Sequence, residues 1–479
     1  MLNFYPGNRM EDLVTLLSRL LDTASNEPLS EDTIIVQNQG MHHWLSLELA
    51  SRRSVVMNTR YPLPVMFFWG LINKILDDKS LPDKTPYSRE ILIWAIYECL
   101  EDHAFFNDPR CSEAKRYWFD EHTQKEDALK RFQLSRELAD LFEQYLIYRP
   151  EWISAWEREA GATTSDVIQN HWQGVLWTLL HSRLGEPPLT LISKAVDKLA
   201  DHQHFLPNRI YIFGINALPP VWMDFIKQLS LYTDVHFFML NPSDEYWGDL
   251  RSEKTQTRER ALWVEKGKPL SAISEEIGNP LLANLGQQGQ ECLKLLCDRI
   301  DSEIPLFYSP GRDTLLQCVQ DDILTLSDRR TDPQTLVNKQ KGDDETNAQD
   351  DTITVASAHS ALREIQVLHD WLLMQFKNDS TLTPKDVLVM SPQVEHYAPY
   401  IDSVFKRGRS FSNESTVQLP CSIADRTLND LEPIIQAFVE LLTLPDSRFQ
   451  VSQILNYLRI PSLQSRFGLV SSDIELYTH

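Results

Sequence analysis

Chemistry in this chain would first be sought at its amino terminus, in "LNFYPGNRMEDLVTLLSRLL" (2–21). An apolar run enters the loop Pro6-Gly7-Asn8-Arg9, and an amphipathic helix follows. Strand, loop and helix in this order form the layout that cradles nucleotide phosphates. In GxxxxGK[ST] the glycines let backbone N–H groups wrap the phosphates, the lysine neutralises them and the hydroxyl ligates Mg²⁺. This loop keeps Gly7 alone and has no lysine and no following Ser or Thr. Arg9 supplies a cation, but without the glycine cradle it reads more simply as a residue of the helix's first turn. The companion site is lost as well. An ATPase of this layout ends a buried strand in acidic residues that hold Mg²⁺ and orient water. The matching strand, in "RIYIFGINALPP" (209–220), ends in Phe213-Gly214, and a phenyl ring ligates no metal. Two independent losses predict a protein that neither binds nor hydrolyses ATP and uses no cofactor.

Other chemistries fare no better. The sequence has no HExxH, no GxSxG and no Cys–His pair at a known spacing. A two-carboxylate nuclease needs PD…(D/E)xK; Pro82-Asp83 and Pro445-Asp446 supply only the dipeptide and read as turns. His42 and His43 are adjacent, which is not the spacing that puts two ligands on one helix face. The six cysteines (99, 111, 292, 297, 318 and 421) form no CxxC and read as core thiols of a reducing compartment. We therefore expect no catalytic residue and no metal site.

The elements that would carry such sites read as α/β. Leu2–Tyr5 leads to a helix from about Arg9 to Leu21. "DTIIVQNQGMHHWLSLELASR" (32–52) gives a buried strand at Ile34–Gln37, a turn at Gly40 and a helix. "RIYIFGINALPPVWMDFI" and "DVHFFMLNP" continue the series. Short apolar runs alternating with helices predict a parallel sheet. Between them, residues 71–204 lose all strand runs and become helical and Trp-rich, as an all-helical insertion would. The expected organisation is an α/β domain from 1–70 and 205–337, the insertion at 71–204, and a solvated acidic linker at 338–351. A second α/β domain then begins at 352 with "TITVAS" and "DVLVMSP" as strands, ends in helices, and is truncated at 479.

The chain has 479 residues, 42% hydrophobic and 24% charged, ordinary values for a globular protein with several cores. Its formal net charge of −22 argues against coating duplex DNA, because phosphate neutralisation supplies most of such affinity. It permits a shielded channel or a surface shared with a partner. No apolar run approaches a membrane span, Met1 runs directly into a strand, and a cytoplasmic protein is expected.

Seven stretches carry a resemblance: "VQNQGMHHWL", "YPLPVMFFW", "FQLSRELADLFEQYLIYRP", "FGINALPP", "NPLLANLG", "TLTPKDVLVM" and "LLTLPDSRF". Together they resemble the amino-terminal portion of the RecC family, the gamma subunit of exodeoxyribonuclease V (the RecBCD helicase–nuclease), over essentially all 479 residues. The resemblance implies superfamily 1 helicase-like α/β domains with degenerate ATP sites, which form channels for DNA unwound by RecB-like and RecD-like motor subunits. It also implies that the 3′-ended single strand is read for Chi, a recombination hotspot sequence, during double-strand break repair. The positions that match the reader are Gln37, Gln39 and His43, then Leu63 and Trp69, then Asp140, Leu141, Glu143 and Gln144, and Arg149 just beyond. Gln39 stands where threonine is familiar, His43 where glutamine is, and Glu143 where aspartate is. A further basic position of the family, near "LGEPPLTL", has no counterpart. Such residues suit the task, since amides and carboxylates read base edges and aromatic rings stack on bases.

Plainer roles exist for each. Leu134, Leu138, Leu141, Phe142, Tyr145 and Leu146 follow helical spacing, which leaves Arg136, Asp140, Glu143 and Gln144 on a face that can simply be solvated. Leu141 also fits the core side. Trp44 and Trp69 can be packing residues, and Gln37 can satisfy backbone groups at a strand end. Two rival functions follow: a catalytic helicase or nuclease, which the missing sites oppose, and an assembly scaffold without base contacts.

Overall fold

The computed structural model describes residues 1–23, 31–53, 55–76, 85–120, 122–158, 171–251, 254–255, 257–258, 278–328, 350–406, 419–423, 433–470 and 474. The chain divides into two compact units, 1–353 and 354–479. In the first unit the order is β1 (Leu2–Gly7), α1 (Met10–Asp22), β2 (Asp32–Val36), α2 (Gln39–Arg53), β3 (Thr59–Arg60) and α3 (Pro64–Leu76). Helices α4 (Arg89–Cys99), α5 (His103–Phe106) and α6 (Ser112–Lys115) follow, then strands β4 (Phe119–Asp120) and β5 (Lys125–Glu126). Next come α7 (Ala128–Tyr148), α8 (Pro150–Arg158), α9 (Trp172–Leu184) and α10 (Pro188–Lys198). The unit returns to the sheet with β6 (Arg209–Phe213), α11 (Pro220–Leu229), β7 (Asp234–Leu240) and β8 (Ser302–Glu303).

Six of these strands form one parallel sheet in the order β3-β2-β6-β7-β1-β8. Its strands are therefore drawn from both sides of the helical segment. The central strands are continuous apolar runs because both faces are covered. Phe4, Ile35, Ile212 and Phe237 point to a layer that contains α3, α10 and α11. Tyr5, Ile34, Val36, Phe213 and Phe238 point to the opposite layer of α1 and α2. The period-2 alternation within each strand thus builds a three-layer α/β/α core.

The helical segment has its own core, which runs from Tyr87 to Leu180 and includes Phe142, Trp156 and Trp177. Helix α10 instead packs on α3 in the sheet layer, through Leu191, Ile192 and Ala195. The expectation of no strands here needs one correction: β4 and β5 pair as a short antiparallel hairpin. Another departure is Arg131, which sits on the apolar side of α7 and is 4% exposed. It is paired with Glu101 and Glu126 at 2.5 Å each, and its guanidinium lies 3.8 Å from the centre of the Tyr97 ring. A buried cation is tolerated only when it is paired in this way.

The second unit is helical in its described residues, with helices at Ala361–Asn378, Val394–Ile401, Pro433–Thr443, Val451–Leu458 and Pro461–Phe467. The strands expected in "TITVAS" and "DVLVMSP" do not form there. Val355 is 92% exposed and Met390 85%, and no strand of this unit pairs with either among the described residues. An apolar β-branched run becomes a strand only when a neighbour takes up its N–H and C=O groups. All but the last two positions of the acidic linker, 338–351, lie outside the described residues, as does Asp83.

Candidate nucleic-acid interface

Two loops at the carboxyl edge of the parallel sheet differ in what fills them. The first follows β1. Gly7 is buried, and a Cβ placed on it would lie 2.6 Å from the Leu306 carbonyl oxygen. Asn8 Nδ2 donates to the Tyr308 carbonyl at 2.7 Å, and the Tyr308 N–H donates to Asn8 Oδ1 at 2.9 Å. The Arg9 guanidinium lies 4.7 Å from the centre of the Tyr308 ring. The 306–308 segment, which continues from β8, therefore closes the loop. Glu11 and Asp12 occupy the first turn of α1, where their charge suits the helix dipole and opposes a phosphate. Arg9 stacks on Tyr308 as the extended N-cap residue of α1, one position before the first turn in which it was expected. At the companion position Phe213 is fully buried against Phe238, and Gly214 takes φ +67°, with its N–H bonded to the Phe238 carbonyl at 3.0 Å.

The second loop, after β2, is open. Strand β2 ends at Val36, one residue earlier than expected, and Gln37 lies on the surface with no hydrogen bond among the described residues. Asn38 accepts the Met41 N–H on its side chain at 2.8 Å and the His42 N–H on its backbone at 3.2 Å, so it caps α2. Gly40 therefore lies in the first helical turn rather than in a turn of its own. Gln39 and His43 are both exposed; Gln39 Oε1 lies 3.2 Å from His42 Nδ1, and the His42 ring stacks on Tyr61 at 4.4 Å. Tyr61 and Pro62 carry the chain past β3 to Leu63, which is half-buried and whose carbonyl accepts the Phe67 N–H. Gln37, Gln39, His43 and Leu63 thus gather at one end of the β2 and β3 strands.

Trp69 does not join them. It is 5% exposed in the sheet core, so the expectation that its ring stacks on a base is corrected to a packing role. The hydrophobic spacing of α3 turns this residue inward together with Phe68 and Ile72.

The remaining matched positions lie on and just after α7, which touches α11 of the sheet layer. Glu143 and Gln144 are exposed, and Leu141 packs half-buried on the helical core. Arg149 caps the helix end and is exposed, 5.8 Å from the Trp152 ring. Asp140 is not an open carboxylate. Its Oδ1 lies 2.5 Å from Arg89 Nε and its Oδ2 2.9 Å from Arg89 Nη2. Tyr308, Asn38 and Arg89 thus contact the candidate loops and helix in ways that sequence reasoning missed. Asn38 carried a legible signal, a capping residue two positions past a strand. Arg89 and Tyr308 carried none, because their partners lie 51 and 300 residues away.

Among the described residues nothing else competes as a site. No group of His, Cys, Asp and Glu among the described residues could hold a metal. Burial pushes the thiols of Cys99 and Cys292 up to about 11 and that of Cys111 to about 12, so none is a ready nucleophile. Cys421, unlike the core thiols expected, is exposed. No helix of the described residues is long and apolar enough to cross a membrane.

Fold and loops together define a parallel α/β protein whose β1–α1 loop is filled by its own chain. Comparison with known proteins gives the family. The model described as "RecC, N-terminal domain" matches residues 2–326, and "RecBCD enzyme subunit RecC fourth domain" matches 431–479. The RecBCD enzyme subunit RecC of Escherichia coli K12 is 31% identical over 99% of this chain and 44% of its own length. That of Haemophilus influenzae is 31% identical over 98% of the chain and 45% of its own length. The Mycolicibacterium smegmatis subunit is 27% identical over all of the chain and 42% of its own length. The chain belongs to the RecC family and spans less than half the length of these relatives.

Proposed function

We propose that this chain is a non-catalytic DNA-channel subunit of a RecBCD-type helicase–nuclease, working in the cytoplasm with RecB-like and RecD-like motor subunits. In this reading the sheet descends from a superfamily 1 helicase domain, guides the 3′-ended single strand, and reads Chi during double-strand break repair. One observation carries the reading. The phosphate loop is closed by Tyr308, while the neighbouring turn offers the Gln37, Gln39 and His43 side chains to the surface. Exposed amides that cap no helix suit a ligand better than the fold: Gln37 has no hydrogen bond among the described residues, and Gln39 has only the one to His42. Gln pairs bidentately with adenine, and the α7 side chains Glu143 and Gln144 add an acceptor and a further amide. Leu63 supplies an apolar wedge and Arg149 a phosphate contact.

The test is a random-sequence selection with the assembled complex, followed by alanine substitution. Gln39→Ala and Gln144→Ala should leave the unwinding rate in place. Each should lower discrimination at one base of the selected octamer by about 1–3 kcal/mol. Parent-like responses from both, and from Glu143→Ala, would instead favour the scaffold reading, in which this surface contacts no base.

A further inference from the structure

Resting on the reading that the α7 face contacts the single strand, we infer that its base-reading group beside Asp140 is Arg89, and that the base it takes is guanine. Asp140 alone would be an acceptor suited to the cytosine amino group. Its two oxygens, however, each already take a guanidinium N–H, at 2.5 Å and 2.9 Å. The charge is compensated and the paired edge is spent. Arg89 is the more exposed partner, at 49% against 31% for Asp140.

The atoms involved fix what remains. Asp140 engages the Nε and Nη2 edge of the guanidinium. A guanidinium has five N–H donors in one plane, so this side-on pairing leaves Nη1 and the second hydrogen of Nη2 as a parallel fork. Two parallel donors match the O6 and N7 acceptors of guanine, and no other base shows two acceptors on that edge. In a single strand this edge is open to contact. No other partner holds Arg89 among the described residues.

The position of Arg89 is a second, independent observation. It is the first residue of α4, at the positive end of the helix dipole, where a cation is disfavoured. An exposed ion pair contributes little to stability. Helix α4 gains little from having arginine there, while a bound base gains a donor pair held in one orientation. Asp140 is then a positioning residue, which acts by fixing the plane of the fork.

The experiment uses the complex assembled with its motor subunits and the octamer that the parent selects. Each guanine is replaced in turn by 7-deazaguanine, which lacks the N7 acceptor. The expected result is one position at which 7-deazaguanine weakens the parent's response about 5- to 150-fold. Arg89→Lys, which keeps the charge and loses the fork, should respond as weakly there to guanine as the parent does to the analogue. It should be unaffected by the replacement itself, and Asp140→Asn should fall between the two. A parent-like response from Arg89→Lys, with Asp140→Ala altering preference at a cytosine, overturns the inference and keeps the α7 reading. A selected octamer without guanine also overturns it. If Glu143→Ala and Gln144→Ala are parent-like as well, the α7 reading itself has failed. Thermal melting of each variant checks that a lost response is not a lost fold.

Discussion

The β1–α1 loop and the β2–α2 turn leave the same sheet at the same edge, and they have gone opposite ways. The first is sealed: Gly7 is pressed against Leu306, Asn8 is bonded twice to Tyr308, and Arg9 lies on the Tyr308 ring. The second is capped by Asn38 alone, and Gln37, Gln39 and His43 stand in solvent. A parallel α/β sheet places its ligand sites at this edge. The difference teaches that one loop of the edge can be filled by the chain's own residues without collapsing the layer, while the adjacent turn keeps its side chains exposed.

The largest expected effect strikes the platform that both loops share. His236 of β7 is buried between Tyr5 and Tyr211, with Nδ1 hydrogen-bonded to the Tyr5 hydroxyl at 2.9 Å. Burial lowers its pKa from 6.5 to about 4. A depressed histidine means that the unfolded chain binds the proton more readily. Its contribution is therefore present above pH 6.5 and is lost as pH falls from 6.5 towards 4, by about 3 kcal/mol. A histidine titration followed by nuclear magnetic resonance should place His236 near 4, and a value at 6.5 would remove this term.

The two glycines sharpen the comparison next. Gly7→Ala forces a methyl group against a backbone oxygen at 2.6 Å and should destabilise by about 1–3 kcal/mol. Gly40→Ala meets only Asn38 Oδ1 at 3.3 Å, in a helical turn, and should stay within about 1 kcal/mol of the parent. Urea denaturation of both variants measures the contrast, and equal losses would show that the loops are equally packed.

Smaller again is the pair Asn8→Ala and Gln37→Ala. The first removes both bonds to Tyr308 and should cost about 1 kcal/mol. The second removes no hydrogen bond among the described residues and should stay within about 0.5 kcal/mol. Finally, calorimetry with millimolar Mg-ATP should give no binding heat, since a phosphate would have to displace the 306–308 segment. Micromolar binding competed by ADP would mean that the loop is not sealed.

The centre of the sheet was legible because β1, β2, β6 and β7 are apolar on both faces. The edges were not. Thr59–Arg60 and Ser302–Glu303 are polar pairs that become strands only by lying beside β2 and β1. The reverse failure occurred in "TITVAS" and "DVLVMSP", where suitable residues found no neighbouring strand among the described residues. At the candidate site the turn after β2 was legible as a turn, and its Gln37, Gln39 and His43 were singled out only by the family resemblance. The burial of Trp69 and Arg131 and the pairing of Asp140 depend on contacts from distant segments, which local spacing does not encode.

The comparison between the two loops is tested most directly by photocrosslinking in the assembled complex during unwinding. The photoreactive residue p-benzoylphenylalanine replaces Asn8 in one variant and Gln39 in another. We predict that labelled 3′-ended single strand crosslinks at position 39 and not at position 8. A crosslink at 8 with none at 39, or none at either, would contradict the account.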